Sequence, residues 1–112
     1  MANFYKNAFY DPNTTAAVTV YSCPSNSRAI IQNIQVTNES GSIILKASIT
    51  DSSAAATYQI AYASISGPTI CNIASGPIIL EESDSLNLAS SNVSYISAVV
   101  SILEMNRNDQ NG

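Results

Sequence analysis

The strongest constraint on this chain is its rhythm. Short runs rich in Ile, Val and Thr are cut at intervals of roughly 8–12 residues by clusters of Ser, Asn, Asp, Gly and Pro, with no helical stretch between them. Twenty-seven of the 112 residues are Ile, Val or Thr, the β-branched types that fit a pleated surface and lose rotamer freedom in a helix. Ile43, Leu45, Ala47 and Ile49 alternate with Ile44, Lys46, Ser48 and Thr50, which predicts a strand with one apolar and one mostly polar face. Ile96, Ala98, Val100 and Ile102 repeat the pattern and predict a long half-buried strand over 93–104. A third strand is set by Ile30, Ile34 and Val36, with Gln32 interrupting it at a candidate bulge. Shorter strands are expected over 18–21, 57–65, 69–73, 78–81 and 85–89, bounded by turn-forming clusters such as Pro24-Ser25-Asn26-Ser27 and Ser66-Gly67-Pro68. The helix-prone tetrad Ser53-Ala54-Ala55-Ala56 is too short to stand alone. The expectation is an all-β chain: one antiparallel β-sandwich or jelly-roll-like domain of about eight strands over residues 15–105.

Two segments fall outside the rhythm. Residues 1–14 hold Phe4, Tyr5, Phe9 and Tyr10, which are half of the aromatic side chains and include both Phe. Aromatic groups dominate interface energetics, so one reading is an arm whose Phe4, Tyr5, Phe9 and Tyr10 dock on a neighbouring subunit. The other is a first strand covering the domain's own core. Residues 106–112 carry no apolar side chain and read as a loose polar tail.

Charge narrows the function. Only 12 side chains are charged, the formal net charge is −4, and histidine is absent. Lys6, Arg28, Lys46 and Arg107 are scattered, so no basic stripe exists to neutralise phosphates or an anionic membrane surface; neither nucleic acid nor membrane is an expected partner. Hydrophobic runs stop at about three residues, far short of the roughly 20 a spanning helix needs. The opening Met1-Ala2-Asn3-Phe4-Tyr5-Lys6 lacks the basic-then-apolar order of a secretion signal, so the expectation is a soluble chain made in the cytosol.

Each candidate for chemistry has a plainer reading. Cys23 and Cys71 are expected to be free thiols in a reducing compartment, and without histidine they build neither a structural zinc site nor an activated nucleophile. Glu81, Glu82 and Asp84 form the one acidic cluster, read as a solvated turn, since no glycine-bearing calcium loop accompanies them. Asn13-Thr14-Thr15, Asn38-Glu39-Ser40 and Asn92-Val93-Ser94 match the glycosylation pattern as a chain this rich in Asn, Ser and Thr will by chance. No catalytic, cofactor-binding or metal-ligating residue is expected, and the chain reads as non-enzymatic.

Several segments together resemble a group of small virion structural proteins of tailed bacteriophages, particularly marine and cyanobacterial ones. These are Thr19-Val20-Tyr21-Ser22-Cys23-Pro24, a strand ending in a turn; Ser27-Arg28-Ala29-Ile30-Ile31 followed by Val36-Thr37-Asn38-Glu39-Ser40-Gly41; Ile79-Leu80-Glu81-Glu82-Ser83-Asp84-Ser85-Leu86; and the closing Ser101-Ile102-Leu103-Glu104. The chain departs from the group at Ser83, where a glycine is common. The resemblance implies a β-sandwich or jelly-roll subunit that binds other copies and a larger shell or tail, with Pro24, Asn38, Gly41 and Asp84 as structural turn residues. It implies a capsid decoration (cement) protein, with the major capsid protein as partner and a virion location, or a tail, neck, baseplate or fibre component of the same fold. By analogy the oligomer is a trimer.

Low charge agrees independently, because like charges repeated around a symmetric assembly repel and interface cores are depleted in Lys, Glu and Asp. A competing reading from another class is a carbohydrate-binding or adhesion module. With no Trp, the rings that remain for it are Tyr58, Tyr62 and Tyr95; Tyr58 and Tyr62 share one face of a strand, which suits a platform, but the plainer reading of both is core or interface.

Overall fold

The computed structural model describes residues 2–106; most of the expected polar tail lies outside them. Nine strands run β1 (Ala2–Tyr10), β2 (Val18–Ser22), β3 (Ser27–Asn38), β4 (Ser42–Asp51), β5 (Ala56–Ser66), β6 (Thr69–Asn72), β7 (Ile78–Leu80), β8 (Ser85–Ser90) and β9 (Ile96–Asn106). They form two antiparallel sheets. One has the order β1-β9-β3-β6, with β7 also on β3; the other has the order β2-β8-β4-β5. The chain passes back and forth between the sheets, and these orders are those of an eight-stranded jelly roll whose sixth strand is split in two, as β6 and β7. β6 lies along Gln35–Asn38 and β7 along Ala29–Ile31, both on the same edge of β3. The Asn72 side chain fills the break, accepting hydrogen bonds from the Ile34 and Ala74 N–H groups at 2.9 and 3.1 Å. The eight strands expected over residues 15–105 correspond to β2–β9, and the ninth is β1 at the start of the chain.

Alternation builds the core. Ile43, Leu45, Ala47 and Ile49 of β4 face Ile96, Ala98, Val100 and Ile102 of β9 and Ala29, Ile31, Ile34 and Val36 of β3 across the sandwich, and all are buried. The register between β3 and β9 slips by one residue at Gln32, so Ile31 and Ile34 both point inward although they are three apart.

Residues 2–10 form a first strand, and the arm reading is replaced by it. β1 pairs with β9 along its whole length, from Ala2 opposite Asn106 to Tyr10 opposite Ala98. Because side chains alternate across a strand, the four aromatics separate. Tyr5 and Phe9 point out of the sandwich, whereas Tyr10 is turned into the core, 2% exposed. Tyr10 is thus a core residue and not a contact residue. Phe4 shares its strand face, half-exposed beside Glu104 where the sandwich opens.

Candidate assembly surface

The two outer faces of the sandwich differ. On the four-stranded sheet the outward residues are mostly polar and satisfy one another. The Thr19 hydroxyl donates to Asn87 Oδ1 at 2.8 Å, and Asn87 Nδ2 donates to Thr50 Oγ1 at 3.1 Å and Ser48 Oγ at 3.4 Å. The Thr50 and Thr57 hydroxyls lie 3.0 Å apart, those of Ser22 and Ser85 3.1 Å. Lys46 Nζ sits 5.6 Å from the centre of the Tyr62 ring on the same face. This surface is a polar ladder suited to water.

The five-stranded sheet is apolar on both sides. Opposite its core face, Tyr5 of β1 stands across from Leu103 of β9, Leu103 from Ile30 of β3, and Ile30 from Ile79 of β7. This apolar row crosses four strands. Phe9 opposite Val99 begins a second row, which ends in Gln35 and Asn72, and Ile70 marks a corner beside Thr37. Tyr5 is 80% exposed, Phe9 72%, Ile79 67% and Ile70 65%. Between the rows lie the uncharged Asn7, Ser101 and Asn33. Arg28, opposite Met105 near the end of the sheet, is the charged residue among the outward strand positions. A shallow open depression of about 600 Å³ runs beside the second row, lined by Phe9, Gln35, Thr37, Tyr95 and Val99 among others. An antiparallel sheet in water normally shows one apolar and one polar face. A sheet apolar on both faces has a second surface to cover.

Charge is concentrated instead at the edge where β1 lies near β2. Glu104, 4% exposed, accepts a hydrogen bond from the Tyr21 hydroxyl at 2.5 Å and pairs with Lys6 Nζ at 3.0 Å, so β9, β2 and β1 meet at one carboxylate. Burial, reinforced by the adjacent Glu104, holds the Tyr21 hydroxyl far above the usual tyrosine range, and burial likewise raises the Cys23 thiol. Cys23 and Cys71 are free thiols. Among the described residues no group of three or more His, Cys, Asp or Glu is placed to hold a metal, and no helix is long and apolar enough to cross a membrane.

The four turn residues sit outside this surface. The Pro24 carbonyl accepts from Ser27 N–H at 3.1 Å. Asn38, fully buried, donates to the Gly41 and Ile65 carbonyls at 3.0 and 3.1 Å and accepts from Ser40 N–H at 3.3 Å. Gly41 has φ +76°, the left-handed region that glycine enters without strain. Asp84 is buried, with one carboxylate oxygen accepting from Ser52 N–H and the other from Glu81 N–H, each at 3.0 Å. The acidic turn is therefore pinned through Asp84.

The tyrosine platform is not formed. A one-residue bulge at Ile60 shifts the β4–β5 register, so Tyr62 stands opposite outward-facing Lys46 while Tyr58 stands opposite inward-facing Ile49. The two rings lie on opposite faces of the strand. Ile30, Ile79, Leu103 and Val99 were absent from the sequence-derived contact residues. Their signal was present as adjacent apolar pairs, Ile30-Ile31, Ile78-Ile79, Val99-Val100 and Ile102-Leu103.

No family model matches the chain, and no curated protein matches its sequence. Solved structures share its fold. A Bacillus endospore appendage protein, from a family of disulfide-linked pili, superposes with a TM-score of 0.58 over 94% of this chain and 87% of its own, at 5% identity. A protein of infectious bursal disease virus, Gx strain, superposes with a TM-score of 0.54 over 96% of this chain, at 13% identity. This chain spans 31% of that viral protein's length. The likeness is one of fold.

Proposed function

We propose that the chain is a non-enzymatic structural protein of a bacteriophage virion, a capsid decoration (cement) protein that works as a homo-oligomer and attaches to the major capsid protein through the outer face of its five-stranded sheet. The observation that carries this reading is the apolar row Tyr5–Leu103–Ile30–Ile79 on a surface nearly free of charge. Interface centres have this composition. A jelly roll is a common fold of capsid domains, and the resemblance of the turn segments to phage virion proteins supports the same setting.

The test is loading of purified protein onto shells that lack it. Wild type is expected to bind, and Tyr5→Ser combined with Ile79→Ser to lose binding. Both residues are largely exposed, so fold stability is expected to change by no more than about 0.5 kcal/mol per site. Wild type that ignores the shell, or a double variant that loads equally well, refutes the reading. A particle reconstruction then locates the protein: copies over the whole shell mean decoration, whereas a ring at one vertex means a tail, neck or baseplate role.

A further inference from the structure

We propose that two copies of this chain join through the open edge of β5, fusing their four-stranded sheets into one continuous sheet across a two-fold axis. A sheet edge presents unpaired N–H and C=O groups, and natural proteins blunt such edges by shortness, proline, bulges or inward-pointing charge. Most of the edges here are blunted. β2 has five residues and a register break between Thr19 and Tyr21. β6 and β7 have four and three residues and follow Pro68 and Pro77 directly. β1 carries the inward-pointing Lys6, held by Glu104 at 3.0 Å. β5 is different: it runs 11 residues, Ala-Thr-Tyr-Gln-Ile-Ala-Tyr-Ala-Ser-Ile-Ser, without charge or proline, and lies at the end of its sheet. Its one irregularity is the bulge at Ile60, beyond which Ala61–Ser66 pairs regularly with Ser42–Ala47.

The regular stretch suits a second copy of itself. An antiparallel pair centred on Ala63 sets Ala63 opposite Ala63, the outward Tyr62 opposite Ser64, and the inward Ala61 opposite the buried Ile65. Core side then continues into core side and polar side into polar side, as a continuous sheet requires. Identical strands meeting about a two-fold bring every charge near its like, which is destabilising when directly opposite. β5 brings none. The absence of charge therefore favours self-pairing, and it sets a two-fold contact in place of the trimer expected by analogy.

The experiment is solution mass by light scattering at micromolar concentration. Wild type is expected at twice 11.8 kDa. Tyr62→Glu combined with Ser64→Glu puts carboxylates opposite carboxylates across the axis while placing the first of them beside Lys46 of its own chain; this variant is expected at the monomer mass with unchanged thermal unfolding. Tyr62→Lys combined with Ser64→Lys is likewise expected to be monomeric, and mixing the two variants to restore the dimer. Tyr5→Ser combined with Ile79→Ser is expected to remain dimeric, which separates this edge from the shell-binding face. A monomeric or trimeric wild type, a dimeric Glu variant, or failure of the mixture to pair overturns the proposal.

Discussion

Replacing Asn38 by Ala should cost about 3 kcal/mol, because its buried side chain ties the end of β3 to the following turn and to the end of β5. The amide is fully buried, with two good donor bonds at 3.0 and 3.1 Å and a longer accepted bond at 3.3 Å. Each intramolecular hydrogen bond contributes roughly 1 kcal/mol net, and a buried partner left without one costs roughly 1–3. The Gly41 carbonyl keeps a second donor, Gly67 N–H at 2.7 Å, which limits the penalty there and holds the total near the lower end. Equilibrium urea unfolding measures the loss; with a slope of about 1–3 kcal/mol per M, the midpoint should fall by roughly 1–3 M. Asn38→Asp sharpens the test. It keeps an acceptor for Ser40 N–H but turns an oxygen toward two carbonyl oxygens, so at neutral pH it should be at least as damaging as Ala. It should recover in part in acid, where the carboxyl regains a proton to donate. A loss below about 1 kcal/mol for Ala, or an Asp variant milder than Ala at neutral pH, would refute the argument that the donated bonds hold this corner together.

Three further outcomes follow from the geometry. Burial raises the Tyr10 and Tyr21 hydroxyls above their ordinary 10.0 and the Cys23 thiol above its ordinary 9.0. The unfolded chain therefore loses these protons first, and stability should hold to about pH 9 and fall as pH rises further. Thermal midpoints from pH 7 to 11 check this, and Tyr21→Phe should narrow the gap to wild type in the alkaline limb. Ser83, at φ 67°, holds a left-handed conformation that costs a non-glycine residue roughly 1–2 kcal/mol. Ser83→Gly should therefore raise stability by up to about 1 kcal/mol after glycine's extra unfolded-state entropy is counted; a clear loss by urea unfolding would contradict that. Deleting residues 1–11 removes Tyr10 from the core and strips β9 of one of its two partner strands. A large aromatic truncation alone costs roughly 3–5 kcal/mol, so circular dichroism should show a sharply lower unfolding midpoint, where removal of a detached arm would leave it unchanged.

Strand content and most strand limits were legible because period-two alternation depends only on local sequence. β4 spans Ser42–Asp51 where alternation predicts 43–50, and the interruption at Gln32 falls at the register slip between β3 and β9. The first segment was ambiguous for a physical reason. Its aromatics come as two Phe-Tyr pairs separated by Lys-Asn-Ala, a pattern that suits either an arm or an edge strand, and the choice depends on whether β9 offers a free edge. Tyr10 and Phe9 differ only in parity, which is fixed by Tyr10 lying opposite Ala98. A spacing of four preserves parity in a regular strand and so puts Tyr58 and Tyr62 on one face; the Ile60 bulge breaks it and leaves no local mark. The Lys6–Glu104–Tyr21 cluster joins residues up to 98 positions apart in sequence. Nothing in the spacing announces it.

The short apolar runs carry more meaning in the sheet than as tests for a membrane span. In a two-layer sandwich a strand needs only one apolar face, and four adjacent pairs, Ile30-Ile31, Ile78-Ile79, Val99-Val100 and Ile102-Leu103, supply two. All four lie in the five-stranded sheet. The other sheet has such a pair at Ile43-Ile44, but it surrounds the outward Ile44 with the hydroxyl-bearing Ser64 and Ser91. The continuous apolar rows thus lie on the outer face of the five-stranded sheet, while the exposed rings of the other sheet, Tyr58 and Tyr62, stand on its edge strand β5. The uncharged edge of β5 belongs to the opposite, polar-faced sheet. Contacts made by one leave the other free, so the same small domain has the means to bind its own kind in the plane of one sheet while laying the other against a larger surface.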